Sequence, residues 1–252
     1  MNKKIKNFNH LNVWVIGASS GIGREICLQL ANQGASVFAS SRKLELLNSL
    51  ALESKNKIIP LQLDVLKTDE IENQLKSIPS LDMVIYLAAD YTPMSIEKFD
   101  AKTANHIIDV NLKGAINITS YVLPIMMKNK KGHISYFASL AGYIGLPQSS
   151  VYGATKAAIM NMAESLHPEA KKYNIDISIV NPGFVKTNLT AKNDFDMPMI
   201  MTPEKAATLT LAGYQQGHFD IVYPKTFSYF FRILRILPYN LHLKLAEKLI
   251  KA

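Results

Sequence analysis

Seven short runs, apolar on both faces, alternate with longer helical patterns, and this alternation restricts the chain more than any single motif. The runs are LNVWVI (11–16), ASVFAS (35–40), IIPLQL (58–63), DMVIYLA (82–88), HISYFA (133–138), DISIVN (176–181) and FDIVYP (219–224). A strand that is bulky and β-branched on both sides needs cover on both sides, as in a parallel sheet between two helical layers. Helical patterns occupy 22–33, 43–54, 68–77, 100–128, 150–172 and 203–217. In the first, Ile22, Ile26 and Leu30 share one face, and the last opens on Thr202 with Pro203 at the first helical position. Strand–helix–strand repeats of this kind close as right-handed crossovers. The expected fold is therefore α/β, a doubly wound parallel sheet of about seven strands, and the absence of a linker or repeat makes it one domain. At 252 residues, 48% hydrophobic and 19% charged, the chain is long enough and apolar enough for a well-buried core.

The first run leads into GASSGIG (17–23) and then a helical pattern. Gly17 permits a tight turn, Gly21 allows a phosphate close to the backbone, and Gly23 lets helix and strand pack closely. Free N–H groups and the positive dipole end of the helix would face a diphosphate across Ser19, Ser20, Gly21, Ile22 and Gly23. The spacing, glycine-x-x-x-glycine-x-glycine, departs from the commoner GxGxxG, and a packing turn is the competing reading. The second run ends in Ser40-Ser41-Arg42, without the acidic residue that binds adenosine ribose hydroxyls in an NAD site. Arg42 suits a 2′-phosphate instead, so the expected cofactor is NADP(H).

Tyr152 and Lys156, in SVYGATKAA (150–158), are four apart and share a helix face. A nearby ammonium favours the phenolate, so such a pair can exchange a proton with a substrate oxygen. Ser139 ends the fifth strand, where its hydroxyl could hold that oxygen. Asn111 lies mid-helix in an otherwise apolar pattern, where an amide has little structural reason to be. Strand ends along one sheet edge form the usual ligand crevice of a doubly wound fold.

This set, in this order, resembles the short-chain dehydrogenase/reductase family over about residues 10 to 225. The likeness rests on GASSGIG, Asp64, Asn111, Ser139, Tyr152 with Lys156, and NPGFVKT (181–187). It implies a Rossmann fold and an NADP(H)-dependent oxidoreductase interconverting a hydrophobic ketone or aldehyde and its alcohol. It implies that Tyr152 is the general acid/base, that Ser139 orients the carbonyl, and that Lys156 binds the nicotinamide ribose and lowers the tyrosine pKa. Asn111 would hold a water in a proton relay. The resemblance also places Asp64, Val65, Ala88 and Ala89 on the adenosine side of the cofactor. Pro182, Gly183, Val185 and Thr187 would flank the nicotinamide. No metal is implied.

Three positions depart from the family pattern. Ile16 replaces the usual threonine before Gly17. Tyr86-Leu87-Ala88-Ala89 replaces Asn-Asn-Ala-Gly, losing two amides that tie strands together and bringing a larger residue towards the adenine side. Pro168, inside the long helix, is expected to bend it or end it early.

Residues 188–201 fall where the family places its substrate-covering loop, and Phe195, Met197 and Met199 there would line an adaptable apolar pocket with Ser139 and Tyr152. A hydrophobic cluster under a loop is the competing reading. The tail, 226–252, is apolar and basic and divided by Pro238; it is expected to form a helical extension of the 1–225 domain. Residues 225–252 carry six basic side chains against Glu247, so +5 of the net +8 lies there. The rest is only mildly basic, which argues against a nucleic-acid groove. Packing or a dimer contact ranks ahead of a peripheral membrane contact for this tail. The resemblance implies a homodimer or homotetramer through 115–128 and 150–172. The lone Cys27 and the lack of a signal-peptide core or membrane span lead to a cytoplasmic expectation. A catalytically silent nucleotide-binding or membrane-peripheral protein is the alternative to an enzyme.

Overall fold

The computed structural model describes residues 1–55 and 57–248; Asn56 and residues 249–252, which include Lys251 of the basic tail, lie outside the described residues. Seven strands form one parallel sheet: β1 (Asn12–Ile16), β2 (Ser36–Ser41), β3 (Ile58–Gln62), β4 (Met83–Tyr86), β5 (Gly132–Phe137), β6 (Ile175–Pro182) and β7 (Asp220–Tyr223). Their order is β3-β2-β1-β4-β5-β6-β7. The chain reverses its direction of travel between β1 and β4, and the crevice at a doubly wound sheet's ligand edge opens at that switch.

Alternation along each strand divides the core. Val13 and Val15 of β1 face α1 (Gly21–Asn32) and α7 (Pro203–Gln216), where Ile26, Leu30, Leu211 and Tyr214 cover them. Trp14 and Ile16 face the opposite layer, with Ile118 and Val122 of α5 (Gly114–Asn129) and Ile159 and Ala163 of α6 (Ser150–Ala170). Each such buried side chain contributes about 1.5–3 kcal/mol of transfer free energy. Cys27 is buried in the first of these layers, and burial pushes its thiol well above the usual range. The shorter helices α2 (Leu44–Glu53) and α3 (Thr68–Lys76) complete the crossovers between β2, β3 and β4.

The pattern read as one helix over 100–128 is α4 (Ala101–Ile108) running into α5 through a π turn at Asp109–Lys113. Asp100 caps its start, accepting from the Thr103 N–H at 2.7 Å. Thr202 caps α7 by accepting from the Lys205 N–H. The expectation for Pro168 needs correction. Helix α6 continues past it to Ala170 and passes into a 3-10 turn at Lys171–Tyr173, so the proline does not end the helix where it stands.

The tail forms α8 (Lys225–Ile236) and α9 (Tyr239–Lys248), on either side of Pro238. Helix α8 lies beside β7, with Phe231 and Leu234 packed against Leu140 and Ile144. Among the described residues no helix is long and apolar enough to cross a membrane.

Candidate active site

The turn after β1 is shaped for close approach. Gly17 has φ +97° and Gly21 φ +56°, conformations that L side chains rarely adopt. A Cβ on Gly17 would sit 2.6 Å from the Ala88 nitrogen, and one on Gly23 2.3 Å from the Gly17 oxygen. The turn is anchored by Gly17 and Ala18 N–H groups donating to the Ser40 carbonyl at 2.8 and 3.1 Å. Ser20, at the N-cap of α1, makes no side-chain capping bond, and the first turn holds no acidic residue. The helix therefore presents uncapped N–H groups across Gly21, Ile22 and Gly23, a cradle for an anion.

Other expected cofactor residues lie along the same sheet edge. Arg42 follows β2, exposed, and makes no ion pair among the described residues; only its carbonyl is engaged, by the Gln62 amide. Asp64 and Val65 follow β3, the Asp64 carboxylate accepting from the Leu66 N–H and the Val65 carbonyl from Asn117. Ala88 and Ala89 follow β4 beside Gly17. Pro182 ends β6, and Gly183, Val185 and Thr187 follow it; the Thr187 methyl group lies 2.9 Å from where a Gly21 side chain would begin. Ser19 and Ser20 lie in the turn itself. The uncapped helix end, the glycine cradle and a free guanidinium fit a dinucleotide carrying an extra phosphate.

The residues expected to handle the proton meet beyond the end of β5 and at the start of α6. Ser139 lies two residues beyond the end of β5, at the cap of the turn Leu140–Gly142, its Oγ accepting from the Ala141 N–H at 3.1 Å. The Ser139 hydroxyl is near enough to Tyr152 to favour its phenolate. Lys156 is buried, its Nζ donating to the Phe137 carbonyl at 2.8 Å and lying 5.5 Å from the Tyr152 ring centroid. Burial pushes Tyr152 up to about 12, against the lowering effect of Ser139. Burial likewise lowers Lys156 to about 8. The Lys156 ammonium is not among the influences on the tyrosine here. In this arrangement Lys156 is engaged by a backbone carbonyl, and desolvation of the phenol outweighs other influences.

Asn111 occupies the π turn, fully buried. Its Oδ1 accepts from the Asp90 N–H at 2.7 Å, and its Nδ2 donates to the Asp90 carbonyl and to Thr155 Oγ1 at 3.0 and 3.1 Å. Thr155 in turn donates to the Tyr152 carbonyl. Asn111 thus joins the loop after β4 to the tyrosine's own helix.

Sequence reasoning passed over Asp90 and Tyr91. The Tyr91 ring meets Tyr152 edge-on at 4.9 Å, and its hydroxyl donates to Asn193 Oδ1 at 2.9 Å. Asp90 pairs with Lys192 at 3.1 Å and with His106 at 3.3 Å. Burial works to raise the Asp90 carboxyl, but the bonds from Lys192 and the Tyr91 N–H hold it below its ordinary value. These contacts bind the 188–201 loop to the loop after β4. The only signal in the sequence was their position directly after the altered 86–89 segment.

The expected substrate-side residues are more open. Phe195 packs edge-on against Phe184 at 5.9 Å and is 47% exposed; Met199 is 57% exposed. Met197 is half-buried and accepts from the Asn193 amide. The ring that meets Tyr152 is that of Tyr91, edge-on. Among the described residues no three His, Cys, Asp or Glu side chains cluster as metal ligands.

A model of the short chain dehydrogenase family matches residues 11–197. An "Uncharacterized oxidoreductase" of Myxococcus xanthus is 34% identical over 231 residues, covering 89% of this chain and 91% of that one. Among solved structures, a short chain dehydrogenase from Burkholderia cenocepacia in complex with NADP superposes with TM-score 0.84. It is 22% identical and covers 95% of this chain and 98% of its own. A short chain dehydrogenase/reductase from Burkholderia phymatum in complex with NAD gives 0.81 at 18% identity, covering 90% and 93%.

Proposed function

Because the chain belongs to the short-chain dehydrogenase family, we propose that it is an NADP(H)-dependent oxidoreductase interconverting an apolar ketone or aldehyde and its alcohol. The observation that carries this reading is the convergence of Ser139, Tyr152 and Lys156, with Lys156 Nζ 5.5 Å from the Tyr152 ring, on the same sheet edge as the uncapped glycine turn. The two structural neighbours hold NADP and NAD respectively, so the choice between them falls to this chain's Arg42. An unpaired guanidinium at the end of β2, with no carboxylate in SSRK, favours a 2′-phosphate over a free 2′-hydroxyl.

In this reading Gly17 through Gly23 hold the diphosphate, with Asp64, Val65, Ala88 and Ala89 on the adenosine side. Pro182, Gly183, Val185, Thr187 and Lys156 hold the nicotinamide end. The bound nicotinamide supplies or accepts the hydride. Ser139 Oγ and Tyr152 Oη together bind the carbonyl oxygen. In reduction Tyr152 Oη gives its proton to that oxygen, and in oxidation it takes the proton back. Lys156, as an ammonium, stabilises the phenolate left behind, and Asn111 holds the relay through which Tyr152 is reprotonated. Phe195, Met197 and Met199 offer apolar contacts to the substrate. The assembly is read as a homodimer or homotetramer through α5 and α6, where Ile116 and Met127 are exposed.

The test is nicotinamide absorbance with a panel of apolar ketones and aldehydes. Tyr152→Phe is expected to reduce kcat about 10²–10⁴-fold. Arg42→Ala is expected to raise the KM for NADPH about tenfold or more, with little change for NADH. Activity surviving Tyr152→Phe overturns the mechanism, and preference for NADH in the unaltered protein overturns the cofactor. Tight NADPH binding without turnover across the panel would favour a silent nucleotide-binding protein.

A further inference from the structure

Helix α8 has two apolar faces. Phe231 and Leu234 are buried against the domain, while Tyr229, Phe230, Ile233 and Ile236 are 58%, 54%, 58% and 81% exposed. The spacing of 229, 233 and 236 draws a stripe along the helix, with Phe230 at its side. Leu241, Leu243 and Leu245 of α9 are exposed as well. Domain packing therefore accounts for one face of the tail and leaves the other to water, an unfavourable arrangement for so many large side chains.

The charges around the stripe indicate what covers it. Arg232 is held by Asp220. Lys225, Arg235 and Lys244 are exposed and make no ion pair among the described residues. A second copy of the chain laid on this face would set the same cations against one another. An anionic lipid surface accepts both components: aromatic and aliphatic side chains enter the headgroup boundary while the lysine and arginine heads stay at the phosphates. The face also adjoins the 188–201 loop. Phe227 packs on Phe184 at 5.9 Å, Phe184 meets the half-exposed Phe195, and Thr226 donates to the Met199 sulfur at 3.5 Å.

We propose that the exposed face of α8, extended by α9, docks the protein on an anionic membrane surface, with Tyr229, Phe230, Ile233 and Ile236 in the interface and Lys225, Arg235 and Lys244 at the lipid phosphates. The contact is peripheral and independent of turnover, so its test stands apart from that of the enzymatic reading.

The experiment is sedimentation of the full chain with vesicles of phosphatidylcholine alone or with 30% phosphatidylglycerol. Binding to the anionic vesicles is expected to exceed that to neutral ones at least about tenfold, and to weaken in 0.5 M salt. Phe230→Glu with Ile233→Glu changes exposed side chains only, and circular dichroism checks that the fold is kept. This pair is expected to lower anionic binding about tenfold or more. Arg235→Glu with Lys244→Glu should lower it similarly. The same charge change at exposed Lys55 and Lys57, before the opposite edge strand β3, should leave it near the unaltered value. No binding to anionic vesicles, equal binding to neutral ones, or equal loss from the Lys55/Lys57 control overturns the proposal. It is also overturned if Phe230→Glu with Ile233→Glu splits an oligomer in solution and leaves vesicle binding intact.

Discussion

Lys156 is positioned for chemistry at the expense of stability. Its ammonium is buried and its pKa is lowered to about 8, from 10.5 in an exposed lysine. Between those values the unfolded chain holds a proton that the folded one releases, so this group makes stability rise as pH increases from about 8 to 10.5. At neutral pH the buried charge costs about 3 kcal/mol, partly returned by the bond to the Phe137 carbonyl. Lys156→Met is therefore expected to raise stability by roughly 1–3 kcal/mol, or several degrees in Tm, and to abolish carbonyl reduction. Thermal melts beside activity assays decide it; a variant less stable than the parent would show that the carbonyl bond outweighs desolvation. The same shift gives a kinetic signature. With Tyr152 pushed up to about 12, the decline of kcat/KM for reduction with rising pH should centre near 8, where Lys156 loses its proton, and not near 10.

At the scale of elements, two departures from the family pattern prove to be one arrangement. Ile16, Tyr86 and Tyr136 are register partners across β1, β4 and β5, and all three are buried in the same core layer. Tyr86 does not project towards an adenine site. It turns inward, its hydroxyl donating to the Val110 carbonyl at 2.6 Å, and Gly114 makes room for it: a Cβ there would lie 2.4 Å from the phenol oxygen. The tie from sheet to neighbouring layer now runs to the π turn that carries Asn111, and Ile16 fills the apolar space beside the ring. Tyr86→Phe should lower stability by about 1–2 kcal/mol by removing the hydrogen bond to the Val110 carbonyl. Tyr86→Asn alone should cost roughly 3 kcal/mol or more, and adding Ile16→Thr should recover at least about 0.5 kcal/mol in a double-mutant cycle. Strict additivity in denaturant titrations would show the two positions to be independent. The sequence made both residues visible as oddities but not as partners, because register between non-consecutive strands is a long-range property. The seven strands were legible because two-sided burial imposes an unbroken apolar run on each. The π turn was not, since one extra residue in a helix hardly disturbs a 3.6 period. Tyr91, edge-on to Tyr152, and the Phe184–Phe227 contact escape a sequence reading for a similar reason: each joins segments far apart in the chain.

At the scale of the whole molecule, the candidate site lies along the crevice edge of the sheet, and the opposite edge holds a buried histidine whose titration should limit stability in acid. His133, at the start of β5, is buried. Its Nε2 lies 2.9 Å from Ser178 Oγ, and that hydroxyl donates to the His218 carbonyl. The Ser178 proton being so used, His133 Nε2 must carry its own and donate it, which leaves Nδ1 bare. No partner for Nδ1 exists among the described residues. The Asn2 amide also donates to Ser178 Oγ and to the Ile177 carbonyl, so this cluster ties the N-terminus across β6. The charged neighbours, Asp176 and Lys171, are paired with each other; their opposing influences leave burial dominant, and it lowers His133 to about 4. An exposed histidine titrates near 6.5, so below that value the unfolded chain takes up a proton that the folded chain refuses. Stability from this group is complete above about 6.5 and is lost progressively as pH falls towards 4, by about 3 kcal/mol in all. Denaturant titrations from pH 7.5 to 4.5 should show that loss in the unaltered protein. His133→Gln, starting lower for want of a good fit, should show a flatter slope over the same interval. An equal slope in the variant would place the acid sensitivity elsewhere, in the surface carboxylates whose ion pairs break as they protonate.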